Sequence, residues 1–292
     1  IFGTLGMVTD ATYGALTEPG TRVLATVSEW GAPRFFAYDG ERFREQKSNL
    51  SDYPGWWYAI ETADVDGDGD EDLLLGNRGE NFYFTADAEH PAKLFVADFD
   101  GNGTTEKILT EHRDGRDWPL AMKRNLTAEL TSLKKNSLRH AEYAEKSMRD
   151  LFSAQALTKA HVWEATYFRS AVAINDGKGN FSLEALPREV QFSCVCDIAC
   201  EDLNGDGAPD VILGGNYAGF LPQFSRLDAS YGHVLLNDAA GNFRVVPNAQ
   251  SGFFVRGDLK DLTRIRVGEE DFLVATVNDS SPEVFRLEKS VQ

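Results

Sequence analysis

Three nine-residue stretches carry the chemistry of this chain. Asp64 to Asp72 reads Asp-Val-Asp-Gly-Asp-Gly-Asp-Glu-Asp, Asp98 to Glu106 reads Asp-Phe-Asp-Gly-Asn-Gly-Thr-Thr-Glu, and Asp202 to Asp210 reads Asp-Leu-Asn-Gly-Asp-Gly-Ala-Pro-Asp. Each sets oxygen-bearing side chains at its first, third, fifth and ninth positions and glycine at its sixth. A tightly wound loop of this pattern can aim successive oxygens at one centre, and the glycine allows the sharp turn. A hard cation such as Ca²⁺ is held by oxygens at about 2.3–2.6 Å. The candidate ligands are Asp64, Asp66, Asp68, Asp70 and Asp72; Asp98, Asp100, Asn102, Thr104 and Glu106; and Asp202, Asn204, Asp206, Ala208 and Asp210. At the seventh position the main-chain carbonyl of Asp70, Thr104 or Ala208 is the expected donor. About three Ca²⁺ are expected per chain, most weakly held in the second loop, where Asn102 is neutral. One such stretch could be a solvated acidic turn; three with glycine in the same place favour calcium.

The first four ligand positions also fit an EF-hand, which further needs a Glu at position twelve and a helix on each side. Position twelve here is Leu75, Leu109 or Leu213. The residues after each loop are short apolar runs such as Leu73 to Leu75 and Val211 to Leu213, which read as buried strands. The loops are therefore expected to join strands, with Asp72, Glu106 and Asp210 replacing the missing Glu.

The elements that must position these loops recur with them. Asn175 to Phe181 and Asn237 to Phe243 both read Asn-Asp-x-x-Gly-Asn-Phe, and Tyr38 to Phe43 is a looser copy. Physically this is a glycine-rich hairpin turn with an inward aromatic. Loops and turns together resemble the FG-GAP and VCBS repeats of integrin-type β-propellers. More narrowly, the chain resembles the propeller region of bacterial proteins related to cartilage acidic protein, often accompanied by an ASPIC/UnbV segment. The resemblance implies an all-β chain of four-stranded propeller blades and calcium in the loops, and it carries over no single activity. About five modules are visible along residues 1–292, read as one propeller domain or a fragment of a larger ring. The first, around Asp10 to Thr21, lacks the acidic ladder. The last has Lys260 at the third ligand position, so no metal is expected in either.

Asp98 follows Asp64 by 34 residues, but Asp202 follows Asp98 by 104. The excess reads as a helical insertion at about 119–160 within the third blade. Leu126, Leu130, Leu133, Ser137, Ala141, Ala144, Met148 and Leu151 form one stripe at helical spacing, with Lys134 and Lys135 off it. Ser153 can cap a second short helix through Leu157. A long helix or hairpin packed on the propeller and a lid or docking element both fit. Val162 to Ile174 is expected to complete the interrupted blade, and Phe82 to Phe84 to follow the turn after Gly79.

The formal net charge is −17, which argues against nucleic acid and an anionic membrane surface. No apolar run is long enough to span a membrane. The chain starts at Ile1 without a signal-peptide pattern and reads as a mature or truncated form. Weak calcium sites suit millimolar calcium outside cells, so an extracellular, cell-surface or periplasmic location is expected. Cys194, Cys196 and Cys200 are read as small core side chains on one strand face with Ile198, against a metal or redox cluster. Trp56 and Trp57 are read as packing between blades, against a sugar-stacking platform. Arg256-Gly257-Asp258 matches an integrin-recognition tripeptide and is read as chance.

No catalytic motif is present, and the five histidines show no ligand spacing. The expected function is a non-catalytic, calcium-stabilised propeller that binds an unidentified protein or glycan. The alternative is a carbohydrate-active enzyme using an acid pair such as Glu111 with Asp114 or Asp117, on the propeller face or under the insertion.

Overall fold

Strands with no polar alternation need apolar cover on both faces. Asp72–Asn77 and Asp210–Gly214 are buried at every position; the first is an inner strand of an eight-stranded antiparallel sheet and the second an inner strand of a four-stranded one. The computed structural model describes residues 5–17, 21–134, 139–220, 224 and 226–288. Lys135, Ser137 and Pro222 lie outside them. The chain divides into two compact units, residues 1–83 with 168–292 and residues 84–167.

The first unit starts with β1 (Met7–Gly14), β2 (Val23–Gly31), β3 (Arg34–Tyr38) and β4 (Phe43–Gln46), an antiparallel meander. β5 (Gly55–Ala63) and β6 (Asp72–Asn77) begin a second four-stranded group, joined to the first where β5 pairs with Glu29 and Gly31 of β2. The chain then passes into the second unit. There β7 (Ala92–Ala97), β8 (Glu106–Arg113), β9 (Arg116–Pro119) and β10 (His161–Ala165) form a sheet in the order β10-β7-β8-β9. Between β9 and β10 run α1 (Lys123–Glu129), α2 (His140–Ala144), α3 (Met148–Leu151) and α4 (Ala154–Lys159).

Back in the first unit, β11 (Ala171–Asn175) pairs with β6, and β12 (Phe181–Ala185) closes that group. β13 (Asp197–Glu201), β14 (Asp210–Gly214), β15 (His233–Asn237) and β16 (Phe243–Val246) form the next meander. β17 (Leu259–Val267), β18 (Glu270–Val277) and β19 (Glu283–Leu287) form the last, three-stranded one. The fold is all-β and propeller-like. Val211 and Leu213 of β14 face a core shared with Ala59, Leu74 and Val172 of the second group. Ile212 faces the opposite core, with Leu259, Leu262 and Leu273 of the last sheet. First strands also contact one another: Asp10 on β1 accepts the Ile60 amide of β5 at 2.8 Å, and Asp197 on β13 accepts the Leu262 amide of β17.

Two expectations change, the strand beside β6 and the helical stretch. The strand beside β6 comes from Ala171–Asn175, not from the chain after Gly79, so Ala171 to Ile174 belongs to the second group and only His161–Ala165 joins the third. Phe82 instead covers Arg78, which is fully buried against Phe168 at 3.7 Å, Phe82 at 4.6 Å and Trp56 at 5.1 Å. This cation–π packing keeps the guanidinium in an apolar wall. Trp56 and Trp57 are buried as the packing reading expects, 5% and 0% exposed, which removes them as a sugar platform.

The helical stretch is neither one long helix nor a hairpin. Leu126, Leu130, Leu133, Met148 and Leu151 are buried with Phe95 and Ile108, but Ala141 and Ala144 are exposed and Tyr143 takes their place in the core. Local caps chop the stripe. Ser147 and Asp150 form a capping box, the Ser147 amide donating to Asp150 at 2.9 Å. Ser153 Oγ accepts the Ala156 amide at 3.2 Å and starts α4. Such bonds favour helix starts over helix interiors.

Candidate metal centres

The three loops share one internal hydrogen-bond ladder, formed where short acidic side chains compete for the backbone amides that follow them. The first-position carboxylate reaches forward: Asp64 accepts the amides of Gly67 and Gly69 at 2.8 and 3.0 Å, Asp98 those of Gly101 and Gly103 at 2.7 and 2.8 Å, and Asp202 that of Gly205 at 2.7 Å. The third-position oxygens of Asp66, Asp100 and Asn204 accept the amide two residues on, as do the fifth-position oxygens of Asp68, Asn102 and Asp206. The glycines at the fourth and sixth positions all have positive φ, between 76° and 95° in the first loop, so no β-carbon stands in the bend.

The ninth position anchors the loop to the sheet. Asp72 accepts the Val65 amide at 2.9 Å and the Asn175 amide at 2.8 Å. Asp210 accepts the Leu203 amide at 3.0 Å and the Asn237 amide at 2.9 Å. Asn175 and Asn237 open the closing turns, so each loop and turn are fastened together. Both aspartates are buried. Burial pushes Asp72 up to about 6, against the pull of the Asn175 and Val65 amides, and the charges of Asp66 and Asp68 push the same way. Burial also raises Asp210. In the second unit, Glu106 is buried and accepts the Phe99 amide at 2.9 Å.

Closing turns also reach the preceding sheet. Asn237 Nδ2 donates to the Val65 carbonyl at 2.7 Å, and the Gly241 amide donates to the same oxygen at 3.2 Å. The turn of the β13–β16 sheet is thereby fixed to the first metal-type loop. One sheet earlier, Asn49 brackets Phe181, donating to its carbonyl at 2.7 Å and accepting its amide at 2.9 Å.

Carboxylate oxygens of Asp64, Asp66 and Asp72 lie within 4.8 Å of one another, as do those of Asp98, Asp100 and Glu106. A set of three carboxylates with adjacent carbonyls fits a hard divalent cation. Among the described residues, Asp202, Asp206 and Asp210 form no such group. The third position there is Asn204, which brings an amide where the other loops have a carboxylate, and its Nδ2 donates to Asp206 at 2.7 Å.

Some acids face elsewhere. Glu71 accepts the Ala15 amide at 2.6 Å and lies 3.8 Å from Arg22, so it ties the loop to the chain after β1. Asp70 lies over Gly177, where a β-carbon would come within 2.2 Å of its carboxylate. Of the acids weighed for carbohydrate chemistry, Asp117 pairs with His112 at 2.7 Å and Lys93 at 3.3 Å, while Glu111 and Asp114 lie 3.5 and 4.0 Å from Arg113.

Residues 56–88 match the FG-GAP repeat. The FG-GAP segment contains β5, the first loop, β6 and the Arg78 wall, and it supports a propeller binding module in general. No curated protein matches the chain. No helix among the described residues is long and apolar enough to cross a membrane.

Sequence reasoning found the loops but missed Asn175 and Asn237 as their anchors. The signal was available: both asparagines open the recurring turn, and both follow a buried strand end.

Proposed function

We propose that this chain is a calcium-stabilised, non-catalytic propeller module that binds a protein or glycan partner outside the cell or in the periplasm. Calcium occupies the loops at Asp64–Asp72 and Asp98–Glu106, and the third loop, not the second as the neutral Asn102 suggested, is the weakest, because Asn204 leaves it without three clustered carboxylates. The narrower likeness to cartilage-acidic-protein-like propellers belongs to the same reading. So does the treatment of residues 1–292 as one propeller domain or part of one, interrupted by a helical insertion.

The observation that carries the reading is the bond from Asn237 Nδ2 to the Val65 carbonyl. It makes a cation-type loop part of a sheet-to-sheet joint, so order in the loop is order in the joint. An exported setting supplies the millimolar calcium that such exposed sites need. The acids at the loops serve the fold in this account, and the partner is met by surfaces the joints hold in place.

Calorimetric titration of calcium-stripped protein tests it. Two equivalents of Ca²⁺ and a still weaker third are expected, with Mg²⁺ bound much less well. Fewer than two equivalents, or equal binding of Mg²⁺, would overturn the calcium assignment. A glycan array and a pull-down, both with Ca²⁺ present, then identify the partner; turnover of a bound glycan would favour the enzymatic alternative.

A further inference from the structure

The three cysteines do not share one face. Val195, not Cys194 or Cys196, joins Ile198 and Cys200 in the core. The alternation inverts because Cys196 and Asp197 both stand opposite Gly214: the Cys196 amide donates to the Gly214 carbonyl at 2.8 Å, and Asp197 is the registered partner of Gly214. Two residues against one is the arrangement of a β-bulge, which re-aims side chains. The bulge turns Cys194 and Cys196 together to the face opposite Val195, Ile198 and Cys200, with their sulfurs 3.6 Å apart.

The pair sits in a built setting. Gly215 lies beneath it so closely that a β-carbon there would come within 2.8 Å of the Cys196 sulfur and 2.5 Å of its amide nitrogen. Cys196 Sγ lies 3.8 Å from the Asn216 carbonyl. Lys260, over the Tyr217 ring at 5.6 Å and paired with Asp258 at 3.1 Å, adds a positive charge beside the sulfurs. A cation there repels a metal ion and favours a thiolate. The two thiols are unequal: the hydrogen bond from the Cys194 thiol, and then the Lys260 charge, pull Cys196 down against burial and the Asp258 carboxylate, while the same bond and burial push Cys194 up. Cys194 is 1% exposed, whereas Cys196 is only half-buried.

We propose that Cys194 and Cys196 are a redox-active dithiol that reduces small-molecule disulfides and closes to a Cys194–Cys196 disulfide. The Cys196 thiolate attacks one sulfur of the disulfide, forming a mixed disulfide and releasing one thiolate. Cys194 gives its proton to that thiolate and attacks the Cys196 sulfur, displacing the second thiolate. One disulfide is reduced to a thiol and a thiolate, and one is formed in the protein. Two residues of extended chain span about 6.6 Å, near the upper limit of Cα separation for a disulfide. A bond so placed is readily reduced again by an external thiol, which is itself oxidised to a disulfide in the exchange.

The test uses the full chain with Ca²⁺ and glutathione disulfide as the probe, read by intact mass and free-thiol count. The three thiols should fall to one with no glutathione retained. Cys194→Ser should retain one glutathione, on Cys196. Cys200→Ser should still lose two thiols, and Lys260→Met should react about fivefold more slowly. Iodoacetamide on the unaltered chain gives an independent readout, with Cys196 modified before Cys200 and Cys194. Three thiols persisting in the folded chain, a glutathione adduct that stays on Cys196 while Cys194 is intact, or Cys196 modified no faster than Cys200 would overturn the proposal.

Discussion

In the loop from Asp64 to Asp72, the amides of Val65 and Asn175 meet Asp72 at 2.9 and 2.8 Å. In the loop from Asp202 to Asp210, the amides of Leu203 and Asn237 meet Asp210 at 3.0 and 2.9 Å. The two loops close different sheets with one backbone. Yet the first gathers three carboxylates and the other does not, because Asn204 stands where the first loop has Asp66. The comparison separates two jobs. Backbone amides set the shape of the loop, while the density of charge sets how much it needs a cation.

If that separation holds, the anchors matter most and matter without metal. Asp72→Ala and Asp210→Ala each remove a buried acceptor of two amides, at a cost of about 3 kcal/mol. A loss that persists with chelator is expected by denaturant unfolding, and for Asp72→Ala a larger one with Ca²⁺, because Asp72 is also one of the clustered carboxylates. A loss that appears only with Ca²⁺ present would merge the two jobs again. Asn237→Ala removes the donors to Val65 and Pro209 and should cost about 2 kcal/mol. It should also weaken Ca²⁺ binding at the first loop, a readout that distinguishes the joint from a local turn.

A pH scan with Ca²⁺ saturating sharpens the contrast between loop carboxylates and those on the first strands. Burial raises Asp197 from 3.8 to about 7, against the pull of the Leu262 amide. The folded state therefore binds a proton that the unfolded state has released. Its stabilising effect is whole below about pH 4 and lost as pH rises through 7, on the order of 2 kcal/mol. Asp197→Asn should flatten that slope and melt higher at pH 8. The smallest change is Asn204→Asp, which restores the missing acid of the third loop. Its Ca²⁺ affinity should rise about tenfold, or about 1.4 kcal/mol, toward that of the first loop.

The loops were legible because their chemistry is local: acids at alternate positions, glycines at the bends, and an apolar strand immediately after. The closing turns were legible for the same reason. The partner of β6 was not, since Ser170, whose hydroxyl accepts the Asn77 amide, lies 93 positions further along the chain. The apolar run of β6 says only that both sides are covered, not by which strand. The helical stripe misled at Ala141 and Ala144 because periodicity does not see a capping box such as Ser147 with Asp150. The cysteine face misled because one extra residue at Cys196 inverts every position before it.

The central claim is that cation binding at the first loop stabilises the folded chain, and a pair of melting curves tests it most directly. Calcium at a hundredfold above its Kd stabilises by about 2.7 kcal/mol, which for a chain of this size is about 5–10 °C. Chelation should lower the midpoint by that much and added Ca²⁺ should restore it. In Asp66→Ala most of the chelator-sensitive shift should vanish, while Asn204→Ala should leave it nearly whole. An unchanged midpoint on chelation of the unaltered chain, after removal of bound calcium is confirmed by metal analysis, would contradict the account.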